Sequence, residues 1–215
     1  MSINLKKRIY TSLALLCGVF LIFISNFILI YCLILLGVFS ILEFIKITKR
    51  IFLNKFNLIS INIFFILYIY FFCFAFLFLS QLHAWKILLF FLLLGCVASD
   101  IGGYIFGKIF KGPKLTKTSP NKTFSGAIGS IITTMILFSL LFNFYLFKFD
   151  YKILFIAAAV SITCQLGDLF FSFLKRKARL KDTGNFLPGH GGILDRIDGI
   201  LFGMPIGFIF TIFII

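Results

Sequence analysis

Residues 9–45 read IYTSLALLCGVFLIFISNFILIYCLILLGVFSILEFI, and how this run is divided decides the fold. It carries one acid, Glu43, and no Lys or Arg. Crossing the apolar core of a bilayer takes about 20 helical residues, so the run is too long for one span. Its polar pair, Ser25-Asn26, divides it into predicted helices over 9–25 and 27–45. Outward from there, apolar runs recur at about 58–80, 87–106, 126–147, 153–173 and 194–215. The expected fold is all-α: a polytopic integral membrane protein with about seven transmembrane helices. Composition agrees. The chain is 61% hydrophobic and 13% charged, with a mean hydropathy of +1.11, which excludes a soluble domain. The 33 Phe residues are spread through these runs as lipid-facing and packing bulk. The start, MSINLKKRIY, resembles the basic end of a signal peptide, but no clear small-residue cleavage site follows, so the first helix is expected to stay uncleaved.

Charge sets the orientation. With a cytoplasmic N-terminus and seven crossings, the inside receives Lys6, Lys7 and Arg8, then Lys46, Lys49, Arg50 and Lys55. It also receives Lys108, Lys111, Lys114, Lys117 and Lys122, then Lys175, Arg176, Lys177, Arg179, Lys181 and Arg196. Of 21 Lys and Arg, only Lys86, Lys148 and Lys152 fall outside. This is the positive-inside pattern, and it accounts for the net charge of +14 without a nucleic-acid partner. The five Cys all lie in apolar runs with no CxxC or Cys/His cluster, so they read as small buried hydrophobes rather than disulfides or zinc ligands. We divide the chain into N-terminal transmembrane helices, 1–96, and a transmembrane region, 97–215, whose two long cytoplasmic loops, about 107–125 and 174–193, carry the polar chemistry of a single membrane domain.

The acids are few: Glu43, Asp100, Asp150, Asp168, Asp182, Asp195 and Asp198. Asp150 sits between Lys148 and Lys152 and reads as a local ion pair. Asp100 and Asp168 lie within or at the ends of apolar helices, where a carboxylate costs about 2.5–3.5 kcal/mol and so faces a cavity or a partner. Asp195 and Asp198, three apart, share a helix face. With Asp168 they form a candidate metal set, because Mg²⁺ takes oxygen ligands, commonly one or two carboxylates with phosphate and water. The competing reading is that these acids pair with Arg176, Arg196 and nearby Lys. The turn Pro188-Gly189-His190-Gly191-Gly192 allows close backbone approach and leads into the helix carrying Asp195. Free N–H groups at that helix start, with His190 and the cations, suit an anion such as phosphate. In Ser119-Pro120-Asn121-Lys122-Thr123, Ser119 or Thr123 is placed to cap the next helix and Lys122 to neutralise phosphate. Gly102, Gly103 and Gly107 read equally as helix-packing positions or as room for a nucleotide.

The stretch Ser172–Asp198, SFLKRKARLKDTGNFLPGHGGILDRID, resembles the signature of the phosphatidate cytidylyltransferases, the CDP-diacylglycerol synthases. The SPNKT segment and Asp100-Ile101-Gly102-Gly103-Tyr104 resemble two further motifs of that family, in the same order, and together they cover roughly 97–203. Glu43 also falls near a familiar place. The resemblance implies that CTP and phosphatidate give CDP-diacylglycerol and pyrophosphate with Mg²⁺, and with room for a second cation. It implies metal binding by Asp168, Asp195 and Asp198, and catalytic roles for these with Lys122, Arg196 and His190. Substrate binding would fall to Asp100, Ser119, Asn121, Lys122, Thr123, Ser172, Lys175, Arg176, Lys181, Asp182, Gly191 and Gly192. It implies a bacterial inner-membrane protein, with membrane lipid around it, a cytoplasm-facing site and a homodimeric state. Phe171 and Ser125 depart from the pattern, standing where members often carry acids. Two alternatives remain: a related CTP-dependent lipid enzyme, such as a polyprenol kinase or another CDP-lipid synthase, and a cation-coupled transporter. The transporter lacks the expected paired halves and broken helices.

Overall fold

A computed structural model describes residues 18–116, 119, 122–146, 150–184, 186 and 191–214. Six helices lie wholly within these residues: α1 (Asn26–Ile51), α2 (Lys55–Ser80), α3 (His83–Phe110), α4 (Phe124–Leu146), α5 (Lys152–Lys177) and α6 (Leu194–Ile214). All six are long and apolar enough to cross a membrane. Among the described residues there is no strand beyond one isolated bridge, Lys114 with Thr123. The protein is thus an all-helical, multi-pass membrane protein.

The long run of residues 9–45 is broken where its polar pair stands. Residues 18–24 are helical, Ser25 is extended, and α1 begins at Asn26. The expected first helix otherwise falls on residues 9–17, which lie outside the described residues. Most helices run a few residues past their apolar stretches. Lys49 and Arg50 end α1, Lys108 ends α3, and Lys175, Arg176 and Lys177 end α5. Cations there face the negative pole of the helix dipole, so the polar turns stay helical.

The chain forms two compact units, Met1–Lys86 with Leu174–Ile197, and Ile87–Phe173 with Asp198–Ile215. In the first, α1 packs on α2. Phe44 stacks on Phe65 with ring centroids 3.8 Å apart, and Thr48 donates to Asn62 Oδ1 across the pair at 2.9 Å. Lys86, in the first turn of α3, donates from Nζ to Asn26 Oδ1 at the start of α1 at 2.8 Å. The segment after α5 returns to this pair: the Phe186 ring lies 4.0 Å from Phe39 and the Lys177 ammonium sits 5.7 Å from the Phe52 ring centre.

The second unit is packed through small residues, as helices in lipid require when no hydrophobic drive exists between them. Gly102 of α3 faces Gly129 and Thr133 of α4, and a Cβ there would come within 2.9 Å of the Gly129 carbonyl. Thr133 Oγ1 donates to the Ala98 carbonyl at 3.1 Å. Ser99 and Ser161 share a hydrogen bond at 3.0 Å between α3 and α5. Gly167 of α5 meets the backbone of α6 at Asp198. Gly103 and Gly107 likewise lie close to α4 and the residue before it: a Cβ on Gly103 would meet Ser130 Oγ at 2.7 Å and one on Gly107 would meet Thr123 Oγ1 at 3.1 Å. Phe171 fills the core against Phe170 and Phe202. Exposed Phe27, Phe64, Phe144, Phe155 and Phe213 present the apolar surface that lipid covers. Among the described residues no buried side-chain nitrogen or oxygen lacks a partner.

Candidate active site

In the second unit, the loop between α3 and α4 is built to hold Lys122. Lys111 turns the chain out of α3 with φ 49°. Leu115 N–H then donates to the Lys122 carbonyl at 2.7 Å, and Phe124 N–H to the Pro113 carbonyl at 3.0 Å. Thr123 caps α4, its Oγ1 accepting from Gly126 N–H at 3.1 Å. Ser119, the other capping candidate, instead closes a turn, accepting from Lys122 N–H through its carbonyl at 3.1 Å. Ser125 Oγ accepts from Gly112 N–H at 3.3 Å. So anchored, the Lys122 ammonium pairs with the Asp168 carboxylate near the end of α5, both side chains partly exposed. Gln165, one turn before, donates to the Ala127 carbonyl at 3.3 Å. Asp100 accepts from the Cys164 thiol at 3.9 Å. Asp198 is buried.

In the first unit, Asp195 stands in the opening turn of α6 with its side chain 6% exposed. Its Oδ1 accepts from Lys175 Nζ at 2.7 Å. Its Oδ2 accepts from Thr183 N–H at 2.8 Å, Thr183 Oγ1 at 3.0 Å and Gly192 N–H at 3.0 Å. Gly191 has φ +84°, a left-handed conformation that glycine adopts freely, and a Cβ there would meet Asp195 Oδ2 at 2.9 Å. Glu43, from α1, reaches the same helix start. It accepts from Ile193 N–H at 3.1 Å, Leu194 N–H at 2.9 Å and Thr183 Oγ1 at 2.6 Å.

This corrects one expectation. The N–H groups of Gly192, Ile193 and Leu194 are not free for a phosphate, because Asp195 and Glu43 already occupy them. The helix start does attract anions, but the anions there are the protein's own. Two lysines expected on phosphates likewise sit on carboxylates, Lys122 on Asp168 and Lys175 on Asp195. Among the described residues no group of three His, Cys, Asp or Glu side chains is gathered to hold a metal. Arg176, Lys181, Asp182 and Arg196 are exposed, and Ser172 is half-buried on α5. Arg176 donates to the Leu180 carbonyl at 3.4 Å. His190 and Asn121 lie outside the described residues. Thr183 escaped the sequence reading, and Glu43, noted only as near a familiar place of the family, was not assigned to the site. The signal for Glu43 was available, since it is the one acid in an otherwise apolar run. Thr183, between Asp182 and Gly184, gave none.

The comparisons with known proteins agree with the motif. The cytidylyltransferase family model matches residues 52–214, which takes in both loops and five of the six helices. The chain belongs to the cytidylyltransferase family. It is 42% identical over 112 residues to a Helicobacter pylori protein named phosphatidate cytidylyltransferase, covering 52% of this chain and 42% of that one. It is 40% identical over 146 residues to a Rickettsia felis protein of the same name, covering 64% of this chain and 63% of that one. A Rickettsia bellii protein, also so named, is 39% identical over 137 residues, covering 60% and 58%. The chain therefore matches between 42% and 63% of the length of these relatives.

Proposed function

We propose that this protein transfers the cytidylyl group of CTP to phosphatidate, giving CDP-diacylglycerol and pyrophosphate. The observation that carries the reading is membership of the cytidylyltransferase family over 52–214, with relatives named for this reaction. An oxygen of the lipid phosphate attacks the α-phosphorus of CTP. The bond to the bridging oxygen breaks, and pyrophosphate leaves with that electron pair. The attacking phosphate is already ionised near neutral pH, so no covalent nucleophile is needed. The difficulty is that two polyanions must meet. Catalysis is then positioning and charge neutralisation; Arg176, Lys181 and Arg196 supply positive charge, and Lys122 and Lys175 do so by exchanging their carboxylate partners for phosphate.

Mg²⁺, with room for a second cation, would shield the reacting phosphates, and we propose Asp168, Asp195 and Asp198 as its carboxylates. The chemistry of this donor set suits the ion. Asp168 is the most available of the three, being partly exposed and held by a single lysine pair. We place the protein in the bacterial inner membrane with its loops in the cytoplasm, on the strength of the lysine and arginine distribution. Self-association as a homodimer belongs to the same proposal.

The test is CTP-dependent pyrophosphate release by the purified protein in mixed micelles. Release should need both phosphatidate and Mg²⁺ and should stop with EDTA. Asp168→Asn should abolish it without reducing expression. CDP released in place of pyrophosphate, with a polyprenol standing in for phosphatidate, would mean transfer of the γ-phosphoryl group and would assign the protein to the related lipid kinases instead.

A further inference from the structure

Glu43 is a buried carboxylate, 8% exposed, on a membrane helix. No Lys or Arg is paired with it among the described residues. An acid so placed is costly unless something specific holds it. What holds it is a cradle made by the loop after α5 and the first residue of α6. Two backbone N–H groups, of Ile193 and Leu194, and the Thr183 hydroxyl point at its two oxygens. Glycines line the approach: a Cβ on Gly184 would lie 2.5 Å from Glu43 Oε1, and one on Gly192 would lie 2.6 Å from it. Thr183 is 1% exposed and its Oγ1 also lies 3.0 Å from Asp195 Oδ2. One hydroxyl carries one proton, so it donates fully to a single carboxylate at a time. The shorter contact goes to Glu43, at 2.6 Å. Asp195 Oδ2 keeps its two backbone donors and its remaining capacity is left for something else.

We propose that Glu43 is a positioning residue. Through Thr183 and the opening turn of α6 it fixes where the Asp195 carboxylate stands and how much of it stays unspent. The proposal rests on the cytidylyltransferase reading for Asp195's role, but the placement itself does not. It also concerns a residue outside the matched segment 52–214.

Glu43→Gln keeps the size of the side chain while setting an amide NH₂ where only donors face it. In detergent-solubilised protein, hydrogen–deuterium exchange over residues 181–197 should rise in this variant, while α2 stays as in the wild type. The kcat for CTP turnover should fall about 10–100-fold, the usual loss when a supporting group is removed, with KM for CTP changed less than about twofold. Thr183→Val should behave alike, Thr183→Ser should restore the wild-type values, and the double variant should lose no more than the worse single one. If Glu43→Gln does not fold, the two Thr183 variants carry the same readouts. Unchanged exchange over 181–197, additive losses in the double variant, or a wild-type kcat would each overturn the proposal. A wild-type protein that never turns over CTP would sink the functional reading, and the exchange measurement would still decide the placement.

Discussion

The two lysine–aspartate pairs look alike in sequence and differ in surroundings. Lys175 and Asp195 are 12% and 6% exposed, whereas Lys122 and Asp168 are 26% and 31% exposed. A partly exposed pair contributes about 0–1 kcal/mol, because water screens it. Losing one partner of a buried charge costs about 1–3 kcal/mol, and Asp195 would keep its other donors. Lys175→Ala should therefore lower the thermal unfolding midpoint clearly, while Lys122→Ala should barely move it yet still slow CTP turnover. A differential melting measurement in detergent, beside pyrophosphate release, separates the two. An equal loss of stability in both variants would contradict the burial argument. At this scale the sequence singled out the acids and lysines and was silent about what they touch. Asp195 stood out by its motif. Its ties to Thr183 and Gly192 span a loop that no periodicity describes, and Glu43 is about 150 positions away from its backbone donors.

Helices were the most legible part of the chain. The first long run breaks at its polar pair, where Ser25 is extended and α1 begins at Asn26. Thr123 caps α4 as its position before the helix suggests. What could not be read was which faces touch. Gly102 appears in a motif, but only its neighbours show why: the backbone of α4 passes too close for a side chain. Gly102→Val should force α3 and α4 apart and cost about 1–3 kcal/mol by overpacking. The thermal midpoint in detergent should fall accordingly. A midpoint equal to the wild type would mean that the helices have slack at this crossing.

At the scale of the whole molecule, sidedness follows from contacts within the first unit. Lys177 lies over Phe52, and Glu43 holds Thr183, so the turn after α1 and the loop after α5 share one face of the membrane. Single cysteines placed at Asn54 and Asp182 should react with a membrane-impermeant thiol reagent from the same side, and one at Asp150 from the opposite side. In intact cells Asp150→Cys should label while the other two label only after lysis. Labelling of all three from one side would break the helix alternation. The placement of lysines and arginines alone leads to the same expectation. The division into two compact units leaves no mark in the sequence, because it cuts through α3, α5 and α6 rather than through a linker.

The reach of Glu43 across the chain also sets a limit on how this protein can be shortened. A version beginning at residue 52 would keep the whole matched segment and every lysine and aspartate assigned to the chemistry. It would nonetheless start its last helix with two backbone donors facing nothing. Glu43 precedes those donors by about 150 residues, so synthesis makes the acid well before the loop that closes on it.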